Sequence, residues 1–373
     1  MSQLRLIIHA GFHKSGTTAL QESFNSQKIE LRQSGVIYPD IGRKAHHRTA
    51  WALSGRIWGW NKKGGEKTSK KEWTDIAKAI NSNKTETILL SSEFFSELTK
   101  EEIHTIFNDI KGRKIEAIFT LRPLVKLLGS SYQQYLKYGI TADYVSWLHS
   151  VLDNPGESKI NPTFWMRHFH GKVVAKWVEV LGANNVTVLI VDESKPEFLY
   201  DSINQYLGLS KDFIKPQKVG SNRSLNLEEI ALLLELNRQF PKDRKWKEYE
   251  VFIRDGYIRR LTDEVKAPRE SSKLLTPRWA IEKGNEIGSQ SKSELLASGA
   301  IIIGDIESLG SASVPEGEPV YPTEISIIHI AQGMLAFDQD LVNKLPTKWM
   351  RDNLIKRYRT KLRKQILRSR KKI

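Results

Sequence analysis

The sequence predicts an α/β protein, a parallel sheet flanked by helices, with a mostly helical C-terminal extension. Three observations carry that expectation. Short apolar runs recur through the first half of the 373-residue chain, each about the length of a buried strand. Stretches with helical periodicity separate them, the alternation that lays strands side by side in one direction. Beyond about residue 225 the alternation stops and helical patterns continue alone.

The elements follow in order. Residues 6–10 read as a buried strand, 11–16 as a glycine-flanked turn and 17–28 as a helix. A short strand at 36–39 precedes a loop-helix excursion over 41–69, rich in Gly, Lys, His and Trp. Helix is expected at 73–80, strand at 86–92, helix at 101–110 and strand at 115–121. Helices at 124–138, 143–152, 164–170 and 173–181 lead to a strand at 186–191. Pro196 opens a helix at 196–207, since its missing N–H costs nothing in a first turn. The helix at 227–240 is strongly amphipathic. Residues 289–322, poor in periodicity and rich in Gly, Ser, Pro and Glu, read as loop or linker, with helix again within 323–345. The expected division is a core over residues 1–240 and a helical extension over 241–373.

Hydrophobic residues make up 39% of the chain and charged residues 27%, ordinary for a water-soluble globular protein. No apolar run is long enough to span a bilayer, and the N-terminus lacks the design of a signal peptide. Cysteine is absent, which excludes disulfides and thiolate metal sites. The expected location is the cytoplasm. Net charge is +15, but residues 351–373 hold eleven Lys and Arg against one Asp, a net of +10, leaving +5 for the preceding 350 residues. So uneven a charge is a tail rather than a nucleic-acid-binding face, and no nucleic-acid partner is expected. Within it Leu354, Tyr358, Leu362 and Ile366 recur at four-residue steps. Such a basic amphipathic helix suits an anionic membrane surface, here the inner membrane face, or an acidic polymer, and equally a solvated terminal helix.

The residues that carry chemistry gather at predicted strand ends. Gly11, Phe12, His13, Lys14, Ser15, Gly16, Thr17 and Thr18 join the first strand to a helix start. Strand, glycine turn and helix N-terminus converge backbone N–H groups on one anion. The familiar G-x-x-x-x-G-K-[ST] loop puts lysine directly after its second glycine. Here Thr17 holds that slot and the loop's lysine is Lys14, so the cradle is kept and the cation has moved. Arg122 ends the strand at 115–121, and Ser130 follows eight residues later. A guanidinium fork suits a phosphate dianion. The pair is also explained more plainly, as an arginine at a strand end and a serine on a helix face.

The run from Lys14 to Thr18 resembles the 5′-phosphosulfate loop of sulfotransferases that use 3′-phosphoadenosine-5′-phosphosulfate (PAPS). Arg122 with Ser130 resembles their 3′-phosphate motif. The strand ending in Asp192 and Glu193, with Pro196 and Tyr206-Leu-Gly208 beyond it, is a weaker likeness that also suits a Walker B strand. The resemblance covers residues 1–240. It implies a P-loop-like sheet, PAPS as sulfuryl donor, 3′-phosphoadenosine-5′-phosphate (PAP) as product, and transfer to a hydroxyl; no metal is expected, since no His/Asp/Glu cluster has ligand spacing. It implies that Gly11, His13, Lys14, Ser15, Gly16, Thr17, Thr18, Arg122 and Ser130 hold the donor, with Lys14 facing the leaving oxygen. Arg223, in the polar segment Ser221-Asn222-Arg223, would add to the 3′-phosphate site or simply form a helix-capping turn.

The acceptor hydroxyl needs a general base. Glu93, at the end of the 86–92 strand, ranks ahead of His47, with His46 third. Trp51, Trp58 and Trp60 lie among Arg48, Arg56, Lys62 and Lys63, apt for stacking on a sugar ring or for a local hydrophobic cluster. On the first of these a saccharide or polysaccharide acceptor is expected rather than a steroid. Two other functions fit the same residues: an atypical P-loop kinase or NTPase built on the loop and Asp192, and a non-catalytic polyanion-binding protein built on the tail and the aromatic loop.

Overall fold

The computed structural model describes residues 3–58, 66–85, 87–217, 223–263 and 272–322, and beyond them 324, 330, 347, 350–351, 353–355 and 357–361. Along the chain run β1 (Arg5–His9), α1 (Thr17–Ser26), α2 (Lys28–Gln33), β2 (Val36–Ile37), α3 (His47–Ser54), β3 (Ile57–Trp58), β4 (Glu66–Lys67), α4 (Lys71–Ser82) and β5 (Thr87–Ser91). There follow α5 (Lys100–Asp109), β6 (Lys114–Leu121), α6 (Leu124–Leu136), α7 (Tyr144–Leu152), α8 (Phe164–His168), α9 (His170–Leu181), β7 (Val186–Ile190), α10 (Pro196–Leu207) and α11 (Leu227–Gln239). The last are α12 (Trp246–Tyr249), α13 (Arg259–Asp263), α14 (Arg278–Ser298) and β8 (Ile301–Ile303).

Six strands form one sheet in the order β2-β5-β1-β6-β7-β8, every neighbouring pair parallel. The sheet is buried on both faces, which is why its central strands read as continuous apolar runs. Alternation along β1 sends Leu6 and Ile8 to one core and Ile7 to the other. The first core continues through Phe12, Leu90, Phe119 and Trp177, and the second through Leu20, Phe24 and Ile203. Local signals set the helix starts. Thr99 and Glu102 close a reciprocal capping box on α5, and Asp143 accepts the Ser146 N–H at 2.8 Å to start α7.

Two compact units divide the chain. One comprises Met1–Arg238 and Glu270–Pro322, the other Gln239–Arg269 and Thr323–Ile373. In the second, Val251 packs with Phe252 and Met350, and Trp246 stacks on Tyr249 at 4.9 Å. Leu354 and Tyr358 are exposed there, while Leu362, Ile366 and most of the helix expected within 323–345 lie outside the described residues.

Residues 289–322 differ from the sequence expectation of loop or linker. Helix α14 runs on to Ser298, and β8 joins the sheet beside β7. The helix is cryptic because small residues make its close contacts. A Cβ on Gly288 would lie 1.8 Å from the Leu309 carbonyl oxygen, and one on Gly171 of α9 would lie 2.9 Å from the Ser291 carbonyl oxygen. A buried face that mixes Gly284, Gly288 and Ser291 with Ala280, Ile287 and Leu295 shows only weak apolar periodicity. The excursion over 41–69 holds the expected helix, α3, and adds a small antiparallel ribbon, β3 with β4. Among the described residues no helix is long and apolar enough to cross a membrane.

Candidate active site

The strands β1, β5, β6 and β7 all end on one rim of the sheet, where ligands of open α/β sheets bind. Onto that rim β1 delivers the loop 11–16, β5 delivers Ser92 and Glu93, β6 delivers Arg122, and β7 delivers Asp192 and Glu193.

The loop turns on two left-handed residues, Lys14 at φ 66° and Gly16 at φ 88°. The backbone N–H groups of Lys14, Gly16, Thr17 and Thr18 find no acceptor among the described residues. They form an open nest at the N-terminus of α1, as an anion site requires. A buried polar chain supports the loop from below. Ser91 Oγ meets His9 Nδ1 at 2.7 Å, His9 Nε2 meets Thr120 Oγ1 at 3.4 Å, and Thr120 Oγ1 meets Ser15 Oγ at 2.7 Å. Ser15 also donates to the Phe12 carbonyl at 2.6 Å. Gly11 sits so close over this chain that a Cβ there would lie 2.3 Å from Thr120 Oγ1. Ser15 is thus a structural pin of the loop, while Thr17 and Thr18 open the helix above it.

Lys14 Nζ donates to Gln134 Oε1 at 3.1 Å. The protein packed around the ammonium holds its pKa below the usual lysine value; Glu93 opposes that and Arg122 adds to it. Arg122 donates from Nη1 to the Lys14 carbonyl at 2.9 Å, and its Nη2 pairs with Glu193. Lys126 Nζ lies 3.2 Å from the same Glu193 carboxylate. The Nε of Arg122 is buried without a hydrogen-bond partner among the described residues. Arg122 thus sets a guanidinium, held by the Lys14 carbonyl and by Glu193, beside the open nest.

Ser130 lies on α6 with its hydroxyl given to the Leu127 carbonyl at 3.0 Å, and no hydrogen bond joins it to Arg122. Arg223 makes a bidentate pair with Glu229 at 2.6 and 2.7 Å, at the start of α11, where Asn226 and Glu229 also cap each other. Its fork is filled by that capping turn. Ser221 and Asn222 lie outside the described residues. Asp192 accepts the Ser194 N–H at 2.9 Å and the Ser194 hydroxyl at 2.6 Å in a local turn.

The end of β5 and the start of α3 are stapled to each other. His46 N–H donates to the Ser91 carbonyl at 2.9 Å, and the Ser91 N–H donates back to His46 Nδ1 at 3.1 Å. His46 Nε2 then faces the Pro39 carbonyl at 3.1 Å. Both ring nitrogens are spent, and burial lowers the pKa of His46 to about 4. Among the expected bases, His46 is therefore corrected to a buried strut, with no free nitrogen to take a proton.

The staple sets His47 over Glu93. His47 Nδ1 lies 2.8 Å from Ser92 Oγ and 3.7 Å from Glu93 Oε2, which also accepts from Gln21 at 3.2 Å. Burial lowers the pKa of His47, and Glu93 opposes the shift. Burial alone would raise Glu93, but His47, His13 and the hydrogen bonds outweigh it and hold the carboxyl below its ordinary value. The pair is a neutral imidazole over a carboxylate, with His47 Nε2 unengaged by any described residue. His47 lines an open cleft of about 400 Å³ together with Thr18, Gln21 and Trp51. The cleft therefore runs from the loop to the imidazole.

Sequence reasoning missed the scaffold of this wall. His13 Nε2 lies 3.0 Å from Glu97 Oε1, and Arg167 Nε donates to the same oxygen at 2.8 Å. The ring of Phe94 is the hub: His13, His47 and Trp51 lie 5.2, 5.1 and 4.8 Å from it, centroid to centroid. Arg167 comes from α8, far along the chain, and nothing local marked it. Of the aromatic loop, Arg48 is paired with Glu72 and Arg56 with Glu102. The Trp58 side chain, Trp60, Lys62 and Lys63 lie outside the described residues.

No protein-family model matches the chain, and no curated protein matches it. Among solved structures it is similar to a sulfotransferase from Alicyclobacillus acidocaldarius, at 16% identity, over 64% of this chain and 93% of that one, with a TM-score of 0.41. So distant a likeness carries no argument; the α/β class rests on the six-stranded sheet itself.

Proposed function

We propose that the protein is a sulfotransferase that uses PAPS and transfers its sulfuryl group to a hydroxyl of a saccharide acceptor. The observation that supports this best is the coupling of two anion sites: the open nest of Lys14 to Thr18 and the Arg122 guanidinium, tied by the hydrogen bond from Arg122 to the Lys14 carbonyl. A donor with separate 5′- and 3′-phosphates needs both. PAPS supplies the sulfuryl group, carried on its 5′-phosphate. The loop N–H groups and the Thr17 and Thr18 hydroxyls bind that end, and Arg122 binds the 3′-phosphate once Glu193 yields.

With Glu93 favouring the Nδ1–H tautomer, His47 Nε2 presents a lone pair to the cleft and takes the acceptor's proton. The new S–O bond forms to the acceptor oxygen as the bond to the bridging phosphate oxygen breaks, and Lys14 steadies the charge developing there. This order reverses the ranking of Glu93 over His47, because His47 lines the cleft and Glu93 is turned toward Gln21 and His47.

The test is thermal unfolding with PAP, against ATP with and without Mg²⁺. A ligand at about 100 times its Kd adds roughly 2.7 kcal/mol of stability. PAP should raise the unfolding temperature; stabilisation by ATP–Mg²⁺ without any by PAP would overturn the proposal.

A further inference from the structure

We infer that the cleft beside His47 selects an acceptor whose sugar ring carries an anionic group, a carboxylate or a sulfate ester, and that Arg43 is the residue that reads it. The inference rests on the sulfotransferase proposal and deepens it. Arg43, Lys44 and Arg48 put three cations on the cleft wall. Two are already matched. Lys44 Nζ lies 2.7 Å from Glu22, the one carboxylate that lines the cleft among the described residues. Arg48 gives both Nε and Nη2 to Glu72, at 3.0 and 2.6 Å. Arg43 is exposed and has no carboxylate partner among the described residues. Arg43 lines the same cleft as His47, and its charge is among those that lower the His47 pKa.

The loop that carries Arg43 is held on both sides. Tyr38 donates its hydroxyl to the Lys44 carbonyl at 2.7 Å, and Asp40 accepts the Gly42 N–H at 2.9 Å while pairing with Lys28 at 2.5 Å. Trp51 supplies the apolar surface. It lies four residues after His47 on α3, hence on the same helix face, and both line the cleft. An acceptor unit in this cleft lies among His47, Trp51 and Arg43, which line it together. At about 400 Å³ the cleft lies near the lower end of small-molecule sites, which limits it to a small acceptor unit.

The probes are three p-nitrophenyl glycosides: the β-glucoside, the β-glucuronide and the 6-O-sulfo-β-glucoside. They share ring and aglycone and differ in the group at C6. Their affinities are measured by calorimetry in the presence of saturating PAP. We expect at least one anionic probe to bind roughly tenfold tighter than the glucoside, in line with a charge-assisted hydrogen bond. Which of the two leads tells carboxylate from sulfate. Arg43→Gln should bring the anionic probe down to the glucoside's affinity, and Arg43→Lys should keep part of the preference. Equal binding of all three, no binding of any, or a preference that survives Arg43→Gln would overturn the inference. Stabilisation by PAP is read separately: if PAP itself fails to bind, the sulfotransferase proposal fails; if PAP binds and the probes do not discriminate, only this inference does.

Discussion

Arg122 donates from Nη1 to the backbone carbonyl of Lys14 at 2.9 Å. One guanidinium at the end of β6 thus fixes the conformation of the loop after β1 and keeps its remaining N–H groups for a ligand. Removing it should therefore weaken donor binding twice over, by losing a phosphate contact and by loosening the nest. Hydrogen bonds to charged groups contribute about 1.5–3 kcal/mol, so Arg122→Ala should lower PAP affinity by roughly 10- to 100-fold in a calorimetric titration. Arg122→Lys should recover little, because an ammonium does not reproduce a fork that serves a carbonyl and an anion together. Wild-type affinity in Arg122→Ala would refute the role.

Glu193 occupies the same guanidinium and lies 3.2 Å from Lys126. A phosphate arriving at Arg122 must displace it or share the cations with it, and either costs binding energy. Glu193→Gln should then tighten PAP several-fold and steepen the salt dependence of binding, since the freed cations exchange with solution ions. Weaker binding in this variant would show that Glu193 instead holds Arg122 in its working orientation.

Much of this rim is legible in the sequence, and the reason is local. A buried strand, a glycine turn and a helix start lie consecutively in the chain, so the place of Lys14, Gly16 and Thr17 at the end of β1 is readable without tertiary information. Arg122 is legible because it follows a strand of known polarity. The partners are not legible. Glu193 meets Arg122, Gln134 meets Lys14 and Arg167 meets Glu97 only through the packing of separate elements. The end of helix α14 escaped for another reason: Gly288 places backbone against Leu309 and Ser291 lies on the same buried face, and close packing by small residues has no hydrophobic signature.

In the proposed mechanism Glu93 and His47 divide the work of the base, and pH profiles separate them. If His47 takes the proton, His47→Ala should lower turnover by about 10² to 10⁴. Glu93→Gln should cost less. It should also move the acid limb of the kcat profile to lower pH, because the carboxylate raises the pKa of His47 and its loss lowers it further. Loss of all turnover in Glu93→Gln, with His47→Ala still active, would return the base to Glu93.

Gly11 offers a test of the buried chain beneath the loop. A Cβ there would meet Thr120 Oγ1 at 2.3 Å, Thr17 Cγ2 at 2.5 Å and His9 Nε2 at 2.8 Å. Thr120 and His9 are fully buried and Thr17 nearly so, and none has room to retreat. Gly11→Ala should cost about 1–3 kcal/mol in chemical unfolding, the usual range for overpacking, and should weaken PAP binding by displacing the nest. Unchanged stability would mean that the loop is less tightly seated than these distances require.

The buried histidines make stability fall with acid, and the sign follows from which state binds the proton. Burial holds His9 and His46 at pKa values of about 4 in the folded protein, against 6.5 for an ordinary histidine. Above pH 6.5 both states are neutral and the stability contribution is complete. As pH falls from 6.5 toward 4 the unfolded chain takes up protons that the folded chain refuses, so unfolding is favoured. For the pair the loss between pH 7 and pH 5 is on the order of 4 kcal/mol, at 1.36 kcal/mol per unit of pKa difference. Urea unfolding at the two pH values measures it together with the like contribution of His168 and His170, which burial also holds below the ordinary value, and His46→Gln should flatten the whole slope by about a quarter even if it lowers stability at both. A wild-type unfolding free energy that stays level from pH 7 to pH 5 would mean that the two rings take up protons in the folded state, and that the staple between β5 and α3 opens to let them.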